Sequence, residues 1–185
     1  MKTALILIDI QNDYFPGGKM ELEGSIEASQ RAARLLAAFR AARLPLAHIQ
    51  HIATRPGSTF FLPDTDGVKT HANVAPLEGE TIFQKHYPNS FRETPLLEHL
   101  QHEQIERVVI AGMMTHMCVD ATVRAAYDYG FQCLVAEDAC ATRALTYGGK
   151  TVRAEDAHRA FLAALNGTYG KVMAANAIVS ELKLG

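Results

Sequence analysis

Three residues of this chain are of the types that carry covalent acyl chemistry: an acid, Asp9, a base, Lys85, and a thiol, Cys118. Each comes at or just after a short apolar run: Asp9 closes Leu5-Ile6-Leu7-Ile8, Lys85 closes the run beginning at Thr81, and Cys118 follows Arg107–Ala111. A thiol attacks a carbonyl as its thiolate, so it needs a group to take its proton and a positive charge to favour the anion. Asp9 suits the first task and Lys85 the second. Cys118 also follows the turn Gly112-Met113-Met114-Thr115-His116-Met117 at the start of a helix, where the dipole is expected to lower its pKa. Read singly, the same residues have plainer uses: Asp9 in a turn with Asn12 and Asp13, Lys85 in solvent, Cys118 as a small buried apolar side chain.

The elements that must bring the three together are legible as alternating strands and helices. Apolar runs define strands at Ala4–Ile8, Leu44–Ile49, Thr81–Gln84, Arg107–Ala111 and Gln132–Ala136, with a short sixth near Lys171–Ala174. Segments of helical period lie between them: Ser25–Ala42, Thr94–Gln101 with Thr94 as cap and Pro95 in the first turn, His116–Tyr129, Thr151–Leu165, and Asn176–Leu182. That alternation predicts an α/β fold, a three-layer αβα arrangement around a parallel sheet. Ligands of such sheets bind beyond the carboxyl ends of the strands, the edge at which Asp9, Lys85 and Cys118 all fall. Between His51 and Gly79 turn residues dominate (Pro56-Gly57, Pro63, Asp66-Gly67, Pro76), so a long loop or cap segment at 51–79 is expected over the site.

Composition narrows the partners. With 185 residues, 48% hydrophobic and 21% charged, the chain reads as a single globular domain spanning 1–185. Eighteen Lys and Arg against 20 Asp and Glu, with no basic stripe, argue against nucleic acid and anionic membrane. Asp9 interrupts the apolar opening too early for a signal peptide, and no run approaches the roughly 18 apolar residues of a membrane span. Three cysteines, Cys118, Cys133 and Cys140, fit neither a disulfide framework nor a CxxC metal site, which points to a reducing, cytoplasmic setting. Cys133, within an apolar strand, reads as core; Cys140 falls near the site without a role.

The wider motifs resemble the isochorismatase-like cysteine hydrolases. They are Asp9-Ile10-Gln11-Asn12-Asp13-Tyr14-Phe15, Lys85-His86-Tyr87-Pro88-Asn89-Ser90-Phe91 with Thr94 and Leu96, Gly112 through Val119, and Asp138-Ala139-Cys140-Ala141-Thr142. The resemblance runs from about Lys2 to the final helix. It implies a six-stranded parallel sheet in the order 3-2-1-4-5-6, a catalytic triad of Asp9, Lys85 and Cys118, and a non-proline cis peptide between Met113 and Met114. It also implies an oxyanion hole from the backbone N–H groups of Met114 and Cys118. The implied reaction is thiolate attack on a carbonyl, a thioester, and hydrolysis, with no cofactor, on a small-molecule amide, ureido or carbamoyl compound. A homo-oligomer is implied by the resemblance alone.

Members that hydrolyse nicotinamide carry an Asp-x-His metal motif after strand two. The stretch here, His48-Ile49-Gln50-His51-Ile52-Ala53-Thr54, has no acidic residue, so no metal is expected; an improvised set would need His51 or His71 with Asp64 or Asp66. Nicotinamidase activity and vinyl-ether hydrolysis remain alternatives, and so does a non-catalytic, redox-sensing oligomer with a reactive thiol. Tyr14, Phe15, Tyr87 and Phe91 are candidates to line the substrate pocket, whereas Phe60 and Phe61 read more readily as core or interface. His116 is a helix-start or interface residue, not a partner of Cys118.

Overall fold

A computed structural model describes residues 1–184 of the chain. The strands form where the apolar runs are. β1 (Thr3–Ile8) is buried at every position, β2 is Leu46–His51, β3 Thr81–Lys85, β4 Arg107–Met113 and β5 Gln132–Ala141. A hairpin of β6 (Leu145–Tyr147) and β7 (Lys150–Val152) follows, and β8 is Lys171–Met173. Six strands make one sheet in the order β3-β2-β1-β4-β5-β8, every neighbouring pair parallel. Counted among themselves these strands run 3-2-1-4-5-6, and β8 owes its number to the intervening hairpin.

Strand alternation divides the core in two. Leu5 and Leu7 face one layer with Leu35, Leu36, Phe39 and Ile178; Ala4, Ile6 and Ile8 face the other with Leu96, Val123, Ala126 and Leu162. The first layer belongs to α1 (Ser25–Ala41) and α5 (Ala175–Glu181), the second to α2 (Leu96–His102), α3 (Asp120–Asp128) and α4 (Ala154–Leu165). A strand buried on both faces has no polar side, which is why β1 and β4 read as continuous apolar runs.

Several boundaries differ from the sequence expectation, each for a physical reason. β2 begins and ends two residues later than expected, which places His51 opposite Lys85 in register. α2 starts at Leu96, after Pro95, and the Thr94 hydroxyl, expected as the cap, accepts from the Leu96 N–H at 3.4 Å while donating to the Ser90 carbonyl. The segment expected as one helix from His116 opens as a π-helical turn, Thr115–Val119, before α3 begins. Thr151 lies in β7 and not in a helix: Gly148 and Gly149, both with positive φ, close a two-residue hairpin turn, and α4 begins only at Ala154.

β5 also continues to Ala141. Its register with β4 jumps from Ile110↔Val135 to Gly112↔Cys140, so β5 takes five steps while β4 takes two. The extra residues bulge out, and the strand returns beside Gly112 and Met113. Gly112 is required there, because its φ is +141° and a Cβ would lie 2.1 Å from the Ile8 carbonyl oxygen.

The 52–80 segment has one short 3-10 turn, Ala72–Val74, and is stitched to the residues after β1. Gln11 donates to the His51 and Val68 carbonyl oxygens and accepts from the His51 N–H. The buried Asp13 carboxylate accepts from the Phe61 N–H at 2.6 Å and the Lys19 N–H at 3.1 Å. The segment expected as a long loop is therefore fixed to the residues that follow β1.

Candidate active site

Asp9, Lys85 and Cys118 meet at the carboxyl edge of the sheet. Asp9 ends β1 in the left-handed region, φ +51°, a conformation that Asp tolerates better than most residues. Lys85 ends β3, two strands away, and crosses beneath β2; Cys118 comes from the π-helical turn after β4. Asp9 and Lys85 are fully buried, and the Cys118 thiol is 3% exposed. Lys85 Nζ stands 2.7 Å from Asp9 Oδ2. The approach is a charge contact outside hydrogen-bond angles, and both carboxylate oxygens are buried without a directed donor.

The ammonium spends its hydrogens elsewhere. It donates to His51 Nδ1 at 3.1 Å and to the Tyr87 carbonyl oxygen at 3.0 Å, with the Pro88 carbonyl at 3.4 Å. Burial opposes the charge on Lys85, but Asp9 and Cys118 outweigh it and the pKa is raised, so the group stays an ammonium. His51 is neutral, its pKa brought down to about 4 mainly by burial, so Nδ1 can accept.

The thiol departs from the sequence expectation. Its pKa is raised, first by burial and then by the adjacent Asp9 carboxylate, and Lys85 only partly offsets them. The helix dipole does little here because Cys118 sits in the fourth position of the turn, not at its start. The resting group is a thiol facing a carboxylate. That arrangement suits removal of the proton by Asp9 during attack.

The remaining candidates separate. Tyr14 is buried, and its hydroxyl pKa is raised, mostly by burial and then by the charges of Cys118 and Asp9, so it belongs to the site. Phe15 stacks on His71 at 3.6 Å and lines, with Asn12, Thr59 and Asp66, a neighbouring cavity of about 550 Å³. Tyr87 contributes its carbonyl to Lys85 while its ring carries the Arg92 guanidinium at 3.6 Å. Phe91 is a core residue, packed on Tyr129 and Phe131. Phe60 and Phe61 pack around Tyr14, with Phe61 buried.

The Met113–Met114 peptide is cis. His116 pairs with the Thr142 hydroxyl and packs on Phe161. Cys133 and Cys140 are core thiols, both pushed up to about 12 by burial.

The improvised metal set does not assemble. His71 caps the Ala72–Val74 turn by accepting from the Asn73 N–H. Among the described residues the one group of potential ligands is Asp9, His51 and Cys118, whose donor atoms lie within 4.8 Å of one another. Lys85 already serves two of these donors, so the positive charge between them is the ammonium itself. Sequence reading missed His51 as the acceptor for Lys85, and Gln11 and Asp13 as anchors of the 52–80 segment. The signal available was only that Gln11 and Asp13 fall within the Asp9–Phe15 motif.

An isochorismatase domain model matches residues 3–177. The chain belongs to the isochorismatase family. It is 51% identical over 179 residues to an uncharacterized isochorismatase family protein of Bacillus subtilis, covering 97% of this chain and 99% of that one. An isochorismatase structure from Pseudomonas putida superposes with a TM-score of 0.89 at 35% identity, covering 95% of this chain and 89% of that one. A maleamate amidohydrolase of Pseudomonas putida is 26% identical over 196 residues, covering 98% of this chain and 87% of that one. The family is one of hydrolytic enzymes, and the six-stranded α/β architecture agrees with it. Among the described residues no helix is long and apolar enough to cross a membrane.

Proposed function

We propose that this isochorismatase-family hydrolase is a cysteine-dependent amidohydrolase that cleaves the C–N bond of a small amide, ureido or carbamoyl compound. The observation that carries the reading is the Cys118 thiol beside the buried, undonated carboxylate of Asp9, with Lys85 fixed against it. The name of the maleamate-hydrolysing relative is consistent with an amide substrate.

In this mechanism Sγ attacks the carbonyl carbon as Asp9 accepts the thiol proton, forming a C–S bond and a tetrahedral oxyanion. The backbone N–H groups of Met114 and Cys118 are the proposed donors to that oxygen. Asp9 returns its proton to the departing nitrogen, so the C–N bond breaks to give an amine or ammonia and a thioester. Water, deprotonated by the same carboxylate, then releases the acid and restores the thiol. Lys85, 2.7 Å from Asp9 Oδ2, holds the carboxyl group in place through these transfers.

The test is ammonia release across a panel of small amides, with acid-quenched enzyme examined by mass spectrometry for an acyl adduct on Cys118. Turnover that disappears in Cys118→Ala supports the reading. Turnover that survives in Cys118→Ala points to vinyl-ether-type chemistry, and silence across the panel points to a thiol sensor. The proposed homo-oligomer is checked separately by sedimentation.

A further inference from the structure

The turn that carries Cys118 is held from outside by two histidine–threonine pairs, and the proposed mechanism uses neither. Thr115, the first residue of the π-helical turn, is fully buried, and its hydroxyl lies 2.8 Å from His158 Nδ1 on α4. His116, the next residue, is tied in the reverse sense to the Thr142 hydroxyl just past β5. Its ring also packs edge-to-face on Phe161, three residues after His158 on the same helix. Residues at that spacing share a helix face, so α4 holds the turn through two neighbouring side chains.

Local structure alone does not fix this turn. π-helical turns are rare and occur mostly at functional sites. Inside this one the Met114 carbonyl oxygen accepts from both the Met117 and the Val119 N–H groups, at 3.0 and 3.3 Å. Thr115 and Val119 are β-branched, which weakens any helical preference. The geometry must then come from tertiary contacts. Among the described residues the Thr115 hydroxyl has His158 as its one hydrogen-bond partner. Burial lowers the pKa of His158, so the ring is neutral at neutral pH and Nδ1 can accept the Thr115 proton.

The place of the pair in the chain gives it a task. Thr115 stands directly after Met114, whose N–H is a proposed donor to the oxyanion, and three residues before the nucleophile. A shift of the turn displaces both groups at once, and a misplacement of about 1 Å costs on the order of 10²-fold in rate.

We propose that His158 is a positioning residue: through the Thr115 hydroxyl it fixes the turn so that the Cys118 thiol faces Asp9 and the Met114 N–H faces the oxyanion. Its part in turnover rests on the amidohydrolase reading; its hold on the thiol does not.

Two measurements separate those claims. Alkylation by iodoacetamide, followed by mass spectrometry of each cysteine peptide, reads the setting of Cys118 without a substrate, while the core thiols Cys133 and Cys140 report global opening in the same sample. In His158→Leu and in Thr115→Val, labelling of Cys118 relative to Cys133 and Cys140 is expected to rise about tenfold or more, because the released turn opens locally. The double variant should match the single ones, since all three remove one interaction. His158→Asn, which keeps an acceptor near the place of Nδ1, should restore most of the protection. Relative labelling unchanged in His158→Leu and Thr115→Val, or effects that simply add in the double variant, overturns the proposal. Thr115→Val, close to the native shape, serves where His158→Leu does not fold.

Turnover of an amide found by the ammonia panel reads the same pair in the working enzyme. In His158→Leu kcat is expected to fall about 10²-fold with KM nearly unchanged, and to recover in His158→Asn, because the turn acts on the transition state and not on substrate contacts. An unchanged kcat, or a loss taken wholly in KM, overturns the positioning role. Released labelling in a protein that hydrolyses no amide would leave the hold on the thiol standing and remove the amidohydrolase reading.

Discussion

At the residue scale the site is governed by what is charged and what is not. A buried carboxylate, a buried ammonium and a protonated thiol share one small volume, and His51 stays neutral beside them so that the ammonium has an acceptor. Asp9→Asn removes the proton acceptor and is expected to lower kcat by about 10²–10⁴-fold while the fold persists, measured by ammonia release and thermal unfolding. Lys85→Met is expected to act first on stability, because it leaves Asp9 buried without a counter-charge; a loss of about 3–5 kcal/mol in denaturant unfolding is the expected scale. Adding Asp9→Leu to Lys85→Met should recover much of that loss without restoring activity. The raised thiol pKa adds a kinetic expectation: alkylation of Cys118 at neutral pH should quicken in Asp9→Asn, since the carboxylate that disfavours the thiolate is gone while the Lys85 ammonium remains.

Elements determine how accurately these residues meet. Gly112 allows β4 to lie against β1 where the chain turns toward Met113 and Met114, and any Cβ would collide with the Ile8 backbone. Gly112→Ala is therefore expected to destabilise by about 4 kcal/mol or more, read as a large drop in Tm, because neither the positive φ nor the backbone contact can relax cheaply. Asp13 has a more local task. Asp13→Ala removes the acceptor for the Phe61 and Lys19 N–H groups, so amide exchange across 59–67 should accelerate while protection in β1 and β4 is kept.

At the scale of the whole molecule, acid is the condition most expected to unfold the chain, and the buried groups set the order of events. His51, with a pKa near 4 in the fold against 6.5 in the unfolded chain, binds its proton more readily when unfolded. Stability from this source is complete above 6.5 and declines as pH falls toward 4. His48, also lowered by burial, acts in the same direction. Glu80 is held down to about 2, first by its hydrogen bond from Arg40 and then with help from the Leu77 N–H and His48. Its contribution is present above 4.5 and disappears as pH falls through about 2. A plot of Tm against pH should therefore decline in two stages, and His51→Gln should flatten the first without touching the second.

What the sequence determined by itself was the layered α/β fold, because strands buried on both faces must be apolar throughout and the helices between them must carry an apolar stripe. It also placed Asp9, Lys85 and Cys118 on one edge, since all three follow strands that run in parallel. Exact strand ends, the β6–β7 hairpin and the bulge of β5 were not legible, because they depend on register with neighbours and not on local pattern. Nor was the state of the thiol. Its pKa is set by how completely the fold removes water and how close it brings a carboxylate, and only the tertiary structure decides either. The same holds for His51, which became the acceptor for Lys85 because β2 lies two residues further along the chain than expected.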